Sequence, residues 1–90
     1  MVESMTLDGI IEDLQAIEPQ LLQFEKKYKL LSSYFYRLYQ NGKLECEEEF
    51  QEWAALYEAK QEREQLFKKH IDEALSNLPL SSPVELEDLK

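Results

Sequence analysis

The chain has 90 residues, a formal net charge of −9, one cysteine and one histidine. A chain of this length is one domain at most and buries only about 60–65% of the surface its unfolded form exposes, so self-association or a partner is expected to supply the rest. With Cys46 as the lone cysteine an internal disulfide is excluded and a reducing, cytoplasmic setting is expected, while the acidity disfavours phosphate backbones and anionic lipid surfaces.

The N-terminus carries Glu3 and Asp8 and lacks a basic stretch followed by an apolar core, so it does not read as a signal peptide. From Leu7 the apolar positions Leu7, Ile10, Leu14, Ile17, Leu21, Phe24, Tyr28 and Leu31 step alternately by three and four. This is the a/d rhythm of a coiled-coil-like helix that keeps one stripe towards a partner helix. Thr6, with Asp8 nearby, is placed to cap it. Pro19 falls on the outward side of the stripe, where a kink or a fresh turn is expected.

Ser32 and Ser33 read as a stop and restart. Either serine can cap a short helix over Tyr34–Gln40, and Asn41-Gly42 supplies the left-handed residue that ends it. Phe35, Leu38 and Tyr39 are expected to face inwards, leaving Tyr34, Tyr36 and Arg37 outside. Divided into residues 1–31, 32–43, 44–78 and 79–90, the chain carries −3, +2, −6 and −2, so only the segment with Arg37 and Lys43 is positive, and two charges do not make a nucleic-acid footprint.

Glu45 to Glu49 opens a third helix with carboxylates where the helix dipole favours them. Its apolar positions run from Phe50, Trp53, Ala54 and Tyr57 to Phe67, Ile71, Ala74, Leu75 and Leu78. Lys60 and Glu64 interrupt the stripe, which predicts an edge or a wet gap there. The pattern predicts helix to Asn77, and Pro79 stops it. No apolar run approaches the roughly 18 residues needed to span a membrane. The expected organisation is all-α. Residues 1–78 form an antiparallel hairpin of two long helices with the short helix at the connecting end, in a dimeric bundle. Residues 79–90 are expected to form an acidic, flexible C-terminal tail.

The chemistry-bearing residues are few. Glu47, Glu48, Glu49 and Glu52 lack the histidine three positions on that dimetal helices carry, since Phe67 precedes His70 at that spacing. Cys46 sits among Glu45, Glu47, Glu48 and Glu49, whose charge opposes a thiolate. His70 has no second imidazole, and Gly9 and Gly42 cannot form a phosphate loop. The expectation is a non-enzymatic protein without metal or cofactor. Phe35, Tyr39, Phe50, Trp53 and Tyr57 are expected to build a small core at the hairpin end. The remaining aromatics beside Arg37 have the composition of a binding hot spot. The candidate partner-binding residues are therefore Tyr34, Tyr36 and Arg37, with Val84, Leu86 and Leu89 as a competing amphipathic segment in the tail.

Lys27-Tyr28-Lys29-Leu30-Leu31-Ser32, Phe35-Tyr36, Gly42-Lys43-Leu44 and Glu52-Trp53-Ala54, across the middle third of the chain, resemble a group of small acidic helical proteins of cyanobacteria and other prokaryotes. These look like antitoxin-type partners, often encoded beside a toxin-like gene. The resemblance implies a protein that masks a basic, RNA-acting toxin without chemistry of its own, and it carries no catalytic residue over. The alternative is a structural or adaptor homodimer with no toxin partner.

Overall fold

Thr6 accepts a hydrogen bond from the backbone N–H of Gly9 at 3.0 Å and starts the first helix, as its residue type dictates. The structure, a computed structural model, describes residues 6–89, and every described element is helical. Helix α1 spans Leu7–Tyr28, α2 Ser32–Gln40, α3 Glu48–Lys69 and α4 Ile71–Leu75, followed by a single 3₁₀ turn at Leu86–Leu89. None of these helices is long and apolar enough to cross a membrane.

α1 runs unbroken through Pro19, which is exposed as its position on the wheel requires. It ends three residues before the a/d rhythm does. Lys29 takes a left-handed conformation (φ 57°), and the N–H groups of Lys29 and Leu30 both donate to the Glu25 carbonyl. Leu31 thus leaves the stripe and lies exposed rather than buried.

α2 starts at Ser32, two residues earlier than expected, and neither serine caps it. The Glu25 side chain, reaching across from α1, accepts from the Ser32 N–H at 2.9 Å instead. Gly42 (φ 68°) closes the helix as expected, with Gly42 N–H donating to Tyr39 and Lys43 N–H to Leu38, the paired bonds of a Schellman ending.

The third helix is shorter than the expected run to Asn77. It stops at Lys69, His70 adopts φ −110° and ψ 17°, and α4 begins anew. The charge order explains the break: Lys68 and Lys69 favour a helix C-terminus, and Asp72 and Glu73 favour an N-terminus just beyond it.

Contacts fall along α1 as they rise along α3. Lys27 pairs with Glu49, Glu18 with Lys60 and Asp13 with Arg63. Lys60, expected at an edge or wet gap, is instead half-buried and tied to Glu18 at 3.2 Å. Burial pulls its pKa down, but the bond and charge of Glu18 outweigh this and leave it raised. Such pairs are individually worth at most about 1 kcal/mol, so they set register more than stability.

The apolar centre is Ile17 and Leu21 of α1, Phe35 of α2, and Trp53 and Ala54 of α3, ringed by half-buried Phe24, Tyr36, Tyr39, Phe50 and Tyr57. Trp53, 1% exposed, stacks on Phe35 (centroids 3.8 Å apart, planes 5°) and on Phe24 (5.4 Å, 11°). The aromatic core expected at this end therefore forms, with Leu38 outside it and Tyr36 inside its margin.

Trp53→Ala is expected to destabilise the chain by about 3–5 kcal/mol, as a buried aromatic truncation. Cys46, exposed on the α2–α3 connection, tolerates serine with no measurable change. Thermal melts of the two variants check this, and equal melting temperatures would show that the core lies elsewhere.

Candidate functional site

Two arrangements stand out: a buried polar relay and an exposed strip on α2. The relay begins at Trp53. Its Nε1–H donates to Ser32 Oγ at 2.8 Å, and that hydroxyl donates to Glu25 Oε2 at 2.6 Å. Each member needs the next. An indole N–H in an apolar centre requires an acceptor, and a serine hydroxyl that accepts must still place its own proton. Glu25 thus ends α1 with its carbonyl and starts α2 with its carboxylate. Among the described residues no buried side-chain nitrogen or oxygen is left without a partner. The relay ties the three main helices together.

Two tyrosine–glutamate contacts flank the core. Glu49 accepts from Tyr28 Oη and from Lys27 Nζ at 2.6 Å, and Glu58 accepts from Tyr36 Oη. The Lys27 and Tyr28 bonds hold the Glu49 carboxyl below its usual range. The bonds to Glu49 and Glu58 raise the Tyr28 and Tyr36 hydroxyls respectively. Tyr36 is therefore a half-buried anchor, tilted against Tyr57 at 5.1 Å, and the expectation that it lies free beside Arg37 is corrected. One helical turn cannot place 35, 36 and 39 on different sides, and the α3 groove that takes Phe35 also takes Tyr36.

Tyr34 and Arg37 do stand together outside, with the guanidinium carbon 5.5 Å from the ring centroid. Tyr34 is 54% exposed, and it is flanked on the same side of α2 by Leu31 at 60% and Leu38 at 39%. Sequence reading missed both leucines by assigning them to the core. Their spacing from Tyr34, three back and four on, was the available signal. Of the tail candidates, Val84 is half-buried. Leu86 and Leu89 belong by backbone to the 3₁₀ turn, and their side chains lie outside the described residues. The turn is tied by Glu85 N–H to Asp88 Oδ2 at 3.0 Å.

At the far end of α1 a shallow groove of about 360 Å³ opens between Leu7, Asp8 and Ile11 and the opposing Phe67, Glu73 and Ala74. Among the described residues no three metal-capable side chains cluster. No protein-family model, curated protein or solved structure matches the chain.

Ser32→Ala is expected to cost about 1–3 kcal/mol, because it strands the indole N–H. In a Trp53→Phe background the same change costs markedly less, a coupling that urea denaturation of the four proteins reads directly.

The pH dependence has two edges. Glu49, with its pKa lowered from 4.5, contributes stability that is present above that value and lost as pH falls through the lowered one. Tyr28 and Tyr36, raised from 10.0, contribute stability present below that value and lost as pH rises through the raised ones. Helicity followed by circular dichroism against pH, with tyrosinate absorbance recorded alongside, is expected to show both edges, the alkaline one reduced in Tyr28→Phe/Tyr36→Phe and the remainder carried by Lys27 and Lys60, whose pKa values are raised by Glu49 and Glu18.

Proposed function

We propose that the chain is a non-enzymatic, cytoplasmic protein-binding module of the antitoxin type, an antiparallel helical hairpin whose acidic surface masks a basic protein. What supports the reading is how the charges are deployed. Lys27, Lys60 and Arg63 are all engaged by carboxylates of the same chain. Around the start of α3, by contrast, Glu45, Glu47, Glu48 and Glu52 are exposed, and no cation pairs with them among the described residues. A surface of unpaired carboxylates on a rigid helix end attracts a basic partner from a distance and accelerates encounter, an effect that salt weakens. The partner in this reading is a basic toxin acting on RNA, held without bond making or breaking.

The alternative is a structural or adaptor homodimer with no toxin partner, and the apolar side of α2 favours it. The two readings separate on one experiment. The tagged protein is purified from its native host, and the associated protein is identified and its association rate measured against ionic strength. The expected outcome is a basic partner whose association slows at least tenfold between low and physiological salt, and slows similarly in Glu45→Gln/Glu47→Gln/Glu48→Gln/Glu52→Gln with helicity unchanged. An acidic partner, a salt-independent rate, or recovery of the chain alone would sink the reading.

A further inference from the structure

α1 runs out where α3 breaks. The Asp13–Arg63 pair sets the level of one helix against the other. Thr6, the cap of α1, and His70, the residue that ends α3, each lie seven residues beyond that pair. Past His70 a straight α3 would therefore find no further turn of α1 to pack on. The apolar pattern nevertheless goes on, through Ile71, Ala74, Leu75 and Leu78. Breaking at His70 turns α4 towards the start of α1, and Ile71, Ala74 and Leu75 become half-buried.

The cover is incomplete. The groove of about 360 Å³ stays open between Leu7, Asp8 and Ile11 of α1 and Phe67, Ala74 and Asn77 across from them. The break itself is slight. It contains neither proline nor glycine, and His70 alone marks it, at φ −110° and ψ 17°. The His70 N–H donates to the Phe67 carbonyl at 2.9 Å, one residue short of the helical partner, and helical bonding resumes where Ala74 N–H donates to the His70 carbonyl at 3.0 Å. α4 has five residues, too few to keep a helical shape without packing.

We propose that α4 is a hinged lid on this end of the hairpin and that it opens by straightening, so that α3 and α4 join through His70 into one continuous helix. The two states exchange different contributions of comparable size. The broken state half-buries three apolar side chains and sets Asp72 and Glu73 at a helix start, where the dipole favours them. The straight state restores helical hydrogen bonds to N–H groups that a helix start leaves free. A lid needs such a near balance, and a hinge needs only one or two residues that absorb the backbone change. Opening carries Asn77 about 10 Å beyond the level of Thr6, at 1.5 Å per residue, and uncovers the half-buried Leu7 and Phe67.

The test uses the full chain alone and does not depend on the partner reading. In a Cys46→Ser background, nitroxide labels on Asp8→Cys and Asn77→Cys report the lid. Both positions line the groove, so the closed state gives strong dipolar broadening and the open state little. The expected result is two populations whose ratio follows the hinge residue. The gap in helix propensity between alanine and glycine sets the open-to-closed ratio about fivefold higher in His70→Ala than in His70→Gly. Both variants remove the imidazole and its 3.5 Å contact with Glu73, so the difference reads the backbone hinge. In the unsubstituted chain, relaxation dispersion at the amides of Ile71 to Leu75 is expected to show the same exchange on the microsecond-to-millisecond scale. A single distance, short or long, that is equal with alanine and glycine at position 70 overturns the proposal. Flat dispersion along α4 overturns it as well.

Discussion

The fold turns on one indole. Trp53 is the residue that all three main helices touch, through stacking with Phe24, Tyr28 and Phe35 and through its N–H to Ser32. Stacked rings bury a large apolar area, but the indole N–H needs an acceptor in the same dry space, and Ser32 needs one for its own proton. Glu25 completes the chain. Because Glu25 also receives the last N–H bonds of α1 through its carbonyl, the end of one helix, the start of the next and the seat of the tryptophan are a single linked geometry. The left-handed Lys29 belongs to it, a conformation that costs a non-glycine residue about 1–2 kcal/mol and that the surrounding bonds hold in place.

Away from that end the register of α1 against α3 is fixed by charge as well as by burial. The α1–α3 contact carries apolar residues at Ile10, Ile17 and Leu21, and the stations between are bridged by Lys60 to Glu18 and Arg63 to Asp13. These pairs add little stability, but they fix which residues of α3 lie beside which residues of α1. Each pair uses one carboxylate for one cation, so the acidic excess of the surface reflects the net charge of −9 rather than the pairing. That excess is what the proposed basic partner would complement, and residues 32–43 of and beside α2 carry no carboxylate.

The acidic surface and the outer side of α2 differ in chemistry and in place. Glu45, Glu47, Glu48 and Glu52 are exposed at the start of α3, whereas the side of α2 with Leu31, Tyr34 and Leu38 is apolar and bordered by Arg37. The proposed hinge at His70 lies at the opposite end of α3, so the acidic surface keeps its shape whichever way α4 stands.

The sequence by itself determined the helical class, the Thr6 cap, the Gly42 ending and the aromatic core around Trp53. Each of these rests on local rules: period, capping chemistry, a residue that tolerates positive φ, and apolar mass in one place. The end of α1, the start of α2 and the sidedness of α2 were decided only in three dimensions. A heptad count carries Leu31 along with the stripe, because periodicity cannot see that the Glu25 side chain starts the next helix at Ser32. It likewise assigns Leu38 inwards and Tyr36 outwards, because the wheel has no knowledge of Glu58 across the groove. The break at His70 lay between, written in the order of Lys68, Lys69, Asp72 and Glu73 but hidden under an apolar pattern that continues across it. Local chemistry can be read in one dimension, whereas a bond between residues far apart in the chain exists only once the helices have met.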